Sequence, residues 1–388
     1  MTPTTEIAPL VESDVAAGLK WFVLKLCIAL TLFTALLGVG EFVSYVYLRL
    51  NPPKSVYAGL PLPADYAREL DDSARHQYLP YVEWRRKFYQ GQFINVDADG
   101  VRRTVPAQCS DGRSLHIWMF GDSALWGTGV TDEGTIPSHL AKLYADSGQR
   151  ACIKNFGEAA WVSTQELIEM LLQLKQSERR PDIVVFYDGT DEIFMPDPDA
   201  PKDVHQGYRR FSELMDTARE EAKPGLLFLQ KSNTVRALEL LSQKINSRRS
   251  KRKQPLPVAE AQAVAQTSID NYQKNLQITD ALARTYGFQA YYFWYPTSSI
   301  GNKPLTPEER ESVREEMRAT PSRFELKQIT YDLCSKINRP NFFYLGHALD
   351  HEQRRIYLDG AHLTSEGNDI MAEKIFQILQ SNKTSSRP

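Results

Sequence analysis

Five short apolar runs punctuate the chain, at residues 115–120 (LHIWMF), 152–156 (CIKNF), 183–187 (IVVFY), 288–295 (FQAYYFWY) and 342–345 (FFYL). None alternates cleanly with polar residues, so each reads as a strand buried on both faces, as in a parallel sheet. Stretches of helical period lie between them. One opens at Pro137 and closes at Gly148, and a second covers 165–176 with Leu167, Met170, Leu171 and Leu174 on one face. A third, 262–286, stops at Gly287, and the last starts near Ser365 and carries Met371, Ile375, Ile378 and Leu379. Proline suits a first helical turn and glycine the residue after a last one. Strands and helices in alternation predict a three-layer α/β/α domain on a five-stranded parallel sheet, flavodoxin-like in outline.

The longest apolar run lies outside this rhythm. Residues 21–40 (WFVLKLCIALTLFTALLGVG) are long enough to cross a bilayer. Lys25 can snorkel near one end, and Tyr45 and Tyr47 suit an interfacial belt at the other. A cleaved signal peptide is the rival, with Gly38 and Gly40 as small-residue cleavage positions. The preceding leader is acidic (Glu6, Glu12, Asp14) and apolar residues continue to Leu50, so an uncleaved single-pass anchor is the expectation. The flanking cations balance, Lys20 and Lys25 against Arg49 and Lys54, and do not set its orientation.

The division expected along the chain is a tail (1–20), a transmembrane anchor (21–48), a linker with an irregular extension (49–110), and the α/β domain (111–388). An insertion at about 195–260 breaks the rhythm of that domain, where lids and specificity elements usually sit. Asp97-Ala98-Asp99-Gly100 reads as a turn; the calcium-loop pattern fails for want of the later Glu. Hydrophobic residues make 42% of the chain and charged residues 24%, with net charge −2, which argues for a folded protein and against nucleic-acid partners. The basic run 248–253 sits beside Pro255 and Pro257 and reads as a solvated loop. Of four cysteines, Cys27 lies in the anchor; Cys109 and Cys152 fall where a disulfide could cross the base of the sheet, or both remain buried thiols. No H-E-x-x-H or C-x-x-C pattern occurs, so neither a metal nor another cofactor is expected.

Ser123 lies just past the first strand, where the carboxyl ends of a doubly wound sheet form the ligand crevice. A serine is a nucleophile only if a base takes its proton, and Asp359-Gly360-Ala361-His362 offers a histidine with a carboxylate to orient it. Four segments occur in order: Gly121-Asp122-Ser123, Asn155-Phe156-Gly157, Gly189-Thr190-Asp191-Glu192 and Asp359-Gly360-Ala361-His362. This series resembles the SGNH (GDSL-type) hydrolases over roughly 111–382. Asp99-Gly100-Val101-Arg102, Phe186-Tyr187-Asp188-Gly189 and His362-Leu363-Thr364 with Gly367-Asn368 are similar to membrane-anchored bacterial members. The resemblance implies Ser123 as nucleophile, His362 as general base and acid, and Asp359 as its orienting partner. It also implies an oxyanion hole from the Ser123 and Gly157 N–H groups and the residue at 191.

Position 191 departs from that pattern. The family's third block usually ends Gly-x-Asn-Asp, and the Asn side chain donates to the oxyanion; here Asp191 and then Glu192 stand in its place. An ionised Asp191 has no proton to give. Three readings stay open: Asp191 protonated by burial, a donor taken from Thr190 or Asn155, or a slow or inactive relative that binds without turnover. Trp126, Trp161 and Glu192 are the candidates for the substrate pocket. In the strand 288–295 the aromatic residues read as core, with Trp294 or Tyr295 reaching the site at its end. His116 and His139 read as structural, and Asp350-His351 as a weaker rival dyad.

These readings together predict a serine esterase acting on acyl esters, O-acetyl groups of cell-envelope polysaccharide among them, with its catalytic domain outside the cytoplasm (periplasmic). An O-acyltransferase sharing the acyl-enzyme, and a glycan-binding or assembly protein on the same scaffold, are the alternatives.

Overall fold

The computed structural model describes residues 10–50, 62–107, 109, 114–193, 205, 208, 211–212, 232–235, 237–238, 241–242 and 257–385. The linker around Pro52-Pro53, the basic run 248–253 and nearly all of the expected insertion at 195–260 lie outside the described residues. The chain divides into two units, residues 1–54 with 217–252, and residues 55–216 with 253–388.

The first unit is built on helix α1 (Leu10–Leu50). Its stretch Gly18–Leu50 holds an 18-residue window of mean hydropathy 2.3 that is not buried, long and apolar enough to cross a membrane, a test that a signal sequence also passes. Within this unit the Glu41 carboxylate accepts from the Ser232 hydroxyl and from the Asn233 N–H at 2.8 Å.

The second unit opens with α2 (Ala64–Ser73) and two antiparallel ribbons, β1 (His76–Leu79) with β2 (Glu83–Arg86), and β3 (Tyr89–Gln90) with β4 (Asn95–Val96). The extension expected to be irregular is therefore partly ordered. Short amphipathic ribbons carry too few alternations to be read from pattern alone. The turn expected at residues 97–100 is present: Asp97 Oδ1 accepts from the Asp99 and Val101 N–H groups, and Gly100 has φ 80°.

The main sheet follows as β5 (Leu115–Gly121), β6 (Ala151–Asn155), β7 (Ile183–Asp188), β8 (Gln289–Trp294) and β9 (Phe342–Tyr344), all parallel, in the order β6-β5-β7-β8-β9. The helices are α3 (Ser123–Trp126), α4 (Ile136–Asp146), α5 (Ser163–Gln176), α6 (Val258–Tyr286), α7 (Pro307–Ala319), α8 (Pro321–Cys334) and α9 (Ser365–Ser385). Successive strand residues point to opposite faces, and both faces are apolar. Ile117, Met119, Val185 and Phe293 pack on one side with Leu140, Tyr144, Met371 and Ile375 of α4 and α9. Trp118, Phe120, Val184, Phe186 and Tyr292 pack on the other with Met170, Tyr272 and Leu326 of α5, α6 and α8. This is the expected three-layer arrangement on five parallel strands. Helices α7 and α8, between β8 and β9, were not anticipated. Cys109 and Cys152 are joined in a disulfide.

Candidate active site

The chain reverses sharply after β5, and glycine makes the turn possible. A Cβ at Gly121 would sit 2.5 Å from the Tyr187 carbonyl oxygen on the neighbouring strand, a separation no side chain tolerates. Asp122 then caps α3, its Oδ1 accepting from the Ala124 N–H at 2.7 Å. Gly127 ends the single turn in the left-handed region, its N–H donating to the Ser123 carbonyl at 3.1 Å. Ser123 thus occupies the first position of a short helix at the carboxyl edge of the sheet, half-buried, and its own N–H makes no hydrogen bond to the described residues.

The segment between β9 and α9 brings the second half of the site. Asp359 Oδ1 accepts from the N–H groups of Ala361 and His362, both at 2.8 Å, which folds the tetrapeptide into a tight loop. The Leu358 N–H donates to the His362 carbonyl across that loop at 2.9 Å. In consequence His362 Nδ1 meets Asp359 Oδ2 at 2.7 Å, and His362 Nε2 meets Ser123 Oγ at 2.9 Å. Side chains 239 residues apart form one hydrogen-bonded line.

Several residues outside the four sequence blocks hold this loop. The Ser298 N–H donates to the Gly360 carbonyl at 3.1 Å. Glu309 Oε1 accepts from the Ile356 and Tyr357 N–H groups, both at 2.9 Å, while its Oε2 meets Lys303 Nζ at 2.7 Å. None of these had a sequence signature, because each acts through backbone groups that any residue supplies.

Electrostatics set the resting protonation. Burial works against charge on His362, but the Asp359 carboxylate, with Asp122 and Asp191 behind it, holds its pKa up to about 9. Burial opposes charge on Asp359 too; the His362 ring and two backbone donors nevertheless hold it down at about 2. Asp122 goes the other way: burial, then the nearby Asp191 charge, push its carboxyl well above the usual range.

Asp122 is also tied to β8 and to the third block. The Tyr295 hydroxyl donates to Asp122 Oδ2 and accepts from the Thr190 N–H at 2.9 Å, with Thr190 Oγ1 at 2.8 Å. Tyr295 therefore does reach the site from the end of β8, whereas Trp294 is wholly buried in the core.

The residues expected at an oxyanion hole are placed less simply. Gly157 approaches the Ser123 turn so closely that a Cβ there would lie 2.5 Å from the Trp126 nitrogen, yet its N–H donates to Asn155 Oδ1 at 3.0 Å. Asn155 is fully buried, with Nδ2 directed to the Leu125 carbonyl at 3.2 Å, so it is not the substitute donor envisaged. Thr190 is taken up by Tyr295 through both its N–H and its hydroxyl. Asp191 is nearly buried and forms an ion pair with Arg323 of α8, Nη2 to Oδ1 3.7 Å. That pairing sets a guanidinium against the side chain at 191.

The pocket candidates need correction. Trp126 is fully buried between two guanidinium groups, Arg86 at 3.7 Å and Arg102 at 4.1 Å from its ring centre. Trp161 is equally buried, its Nε1 donating to the Trp84 carbonyl at 3.1 Å. Both fill space beneath the site and present no face to a substrate. Glu192 accepts from the Ser163 N–H and, at 3.0 Å, from its hydroxyl, which fixes the start of α5. In the rival pair, Asp350 bonds His347, not His351, at 3.0 Å and largely in solvent.

No family model matches the sequence, and no curated protein matches it. Solved structures do. The chain is similar to AlinE4, an SGNH-hydrolase family esterase, at 25% identity and TM-score 0.20 over 22% of this chain and 44% of that one, so the match spans less than half of that esterase. It is also similar to a member of the lipolytic protein G-D-S-L family from Veillonella parvula DSM 2008, at 10% identity and TM-score 0.35, over 69% of this chain and 99% of that one. With the lipase/acylhydrolase from Enterococcus faecalis the figures are 12% and 0.32, over 69% and 96%. At such scores the weight falls on the residues themselves.

Proposed function

We propose that the protein is a serine ester hydrolase with Ser123, His362 and Asp359 as its triad. The observation that carries this is the unbroken line from Ser123 Oγ through both ring nitrogens of His362 to Asp359, at 2.9 and 2.7 Å. Ser123 Oγ attacks the acyl carbon as its proton passes to His362 Nε2. The tetrahedral intermediate collapses, the C–O bond to the alcohol breaks, and His362 returns the proton to the leaving oxygen. Water then attacks the acyl-enzyme with His362 as base, and the carboxylic acid leaves as Ser123 regains its proton.

The Ser123 N–H is an open donor for the oxyanion. The Gly157 N–H is the second once it parts from Asn155 Oδ1. With Asp191 in place of the third donor, turnover is slow: a missing oxyanion donor costs roughly 100- to 1,000-fold. The same observation supports a second reading, a glycan-binding or assembly protein with little turnover.

The substrate class we favour is an acyl ester, O-acetyl groups on cell-envelope polysaccharide included. Our reading puts the domain outside the cytoplasm, with α1 as a single-pass anchor. The Cys109–Cys152 disulfide supports an oxidising compartment.

A fluorophosphonate that phosphorylates activated serines separates the two readings. The hydrolase reading expects labelling at Ser123, abolished in Ser123→Ala and faster at alkaline pH. Absence of labelling at every pH leaves the binding protein.

A further inference from the structure

We propose that Arg323 anchors a carboxylate carried by the ester substrate. This rests on the hydrolase reading above and names the class of ester that the site takes.

Of the cations between β8 and β9, Lys303 and Lys327 are buried on carboxylates, whereas Arg323 is not. Lys327 is buried, with Nζ 2.6 and 2.7 Å from the two Glu316 carboxylate oxygens. Lys303 is buried on Glu309 at 2.7 Å. Arg323 differs from both. Its side chain is 41% exposed, it makes no hydrogen bond among the described residues, and its one partner, Asp191, stands 3.7 Å away, beyond hydrogen-bond reach.

The guanidinium lies largely in solvent and too far from Asp191 for a hydrogen bond, so this contact alone does not account for its being held there. Its location does suit a ligand. Asp191 follows Thr190, which is tied through Tyr295 to Asp122 and so to the residue beside the nucleophile. The Asp191 charge is also felt at His362. Arg323 therefore presents unused N–H donors to solvent beside Asp191, whose charge reaches His362. A guanidinium offers a planar fork that matches a carboxylate in two parallel hydrogen bonds, which a lysine cannot reproduce.

The test uses the full chain in detergent and two matched ester pairs. Para-nitrophenyl hydrogen glutarate against para-nitrophenyl butyrate places the charge on the acyl side. Para-acetoxybenzoate against phenyl acetate places it on the alcohol side. The expected result is a kcat/KM preference for the anionic member of one pair by about 10- to 100-fold, the range of a charge-assisted hydrogen bond. Arg323→Gln should bring that ratio close to one, and Arg323→Lys should restore part of it. The ratio cancels any effect that Arg323 exerts on His362 through Asp191, because both esters meet the same base. An unchanged ratio in Arg323→Gln for both pairs overturns the anchor and leaves the hydrolase standing.

If no ester is turned over, the hydrolase reading fails, and glutarate binding, followed by tryptophan fluorescence, still decides the anchor. Binding weakened at least tenfold by Arg323→Gln supports it. Equal binding, or none to the unaltered chain, overturns it.

Discussion

The Tyr295 hydroxyl donates to Asp122 Oδ2 and at the same time accepts from the Thr190 N–H, so one phenol just past β8 joins the Ser123 turn to the third sequence block. Gly189 makes room for it: a Cβ there would fall 2.5 Å from the ring. Tyr295→Phe keeps the ring and removes the bridge. Asp122 and the Thr190 N–H then lose a partner inside a buried site, at about 1–3 kcal/mol each. The expected outcome is a lower melting temperature together with a fall in kcat that exceeds any rise in KM, since Ser123 and Asp191 lose their common reference point. A fall in stability with kcat intact would make Tyr295 structural only.

The pH profile follows from His362. With its pKa held up to about 9, the resting imidazole is a cation at neutral pH, and only the neutral form takes the Ser123 proton. Activity on a neutral ester should rise about tenfold per pH unit below 9 and level off above it. Asp191 is one of the charges that raise His362. Asp191→Asn removes that charge and installs an amide donor, so the rising limb should move to lower pH and the plateau rate should increase, by up to roughly 100- to 1,000-fold if the amide reaches the oxyanion. A profile that does not move would place Asp191 outside the working site.

Asp359→Asn tests the orienting carboxylate. The amide keeps the shape of the loop, but it no longer holds Nδ1–H toward itself as a charged acceptor, and the favourable charge on His362 disappears. The triad pattern expects a loss of kcat of about 10,000-fold, with the limb of the pH profile shifted to lower pH as His362 relaxes toward its ordinary value. Fluorophosphonate labelling at Ser123 should slow in parallel.

The strands and the main helices were legible because each apolar run is buried on both faces by its own neighbours, as Trp118 and Met119 are on β5. The meeting of Ser123, His362 and Asp359 was legible because the turns that aim them are written locally, in the glycine at 121 and the Asx-type loop at 359–362. Trp126 and Trp161 were misread because aromatic residues close to a nucleophile in sequence can point beneath it; here buried arginines stack on them. Arg323 was invisible for the opposite reason. It sits 200 positions from Ser123 on a helix with no motif, and only the packing of α8 brings it to Asp191.

A second group of buried acids predicts how stability depends on pH. Glu166 and Asp188 are both almost fully buried and interact with each other, and Asp188 Oδ2 accepts from the Tyr272 hydroxyl at 2.9 Å. Glu192, on Ser163, adds charge from one side. Burial pushes Asp188 up to about 7 and, with the Asp188 charge beside it, pushes Glu166 well above the carboxylate range. Folded-state pKa values above the unfolded ones mean that the folded chain binds more protons between about pH 4 and 7, so stability falls as pH rises through that window. Asp359, with its depressed pKa, contributes the reverse slope only below about pH 4 and does not interfere. Glu166→Gln retains an N–H donor for Asp188 and removes one of the two titrating acids. Urea midpoints followed by tryptophan fluorescence at about pH 5 and pH 7 should therefore differ less in Glu166→Gln than in the unaltered chain. Equal differences in the two would show that the pair does not titrate in that window.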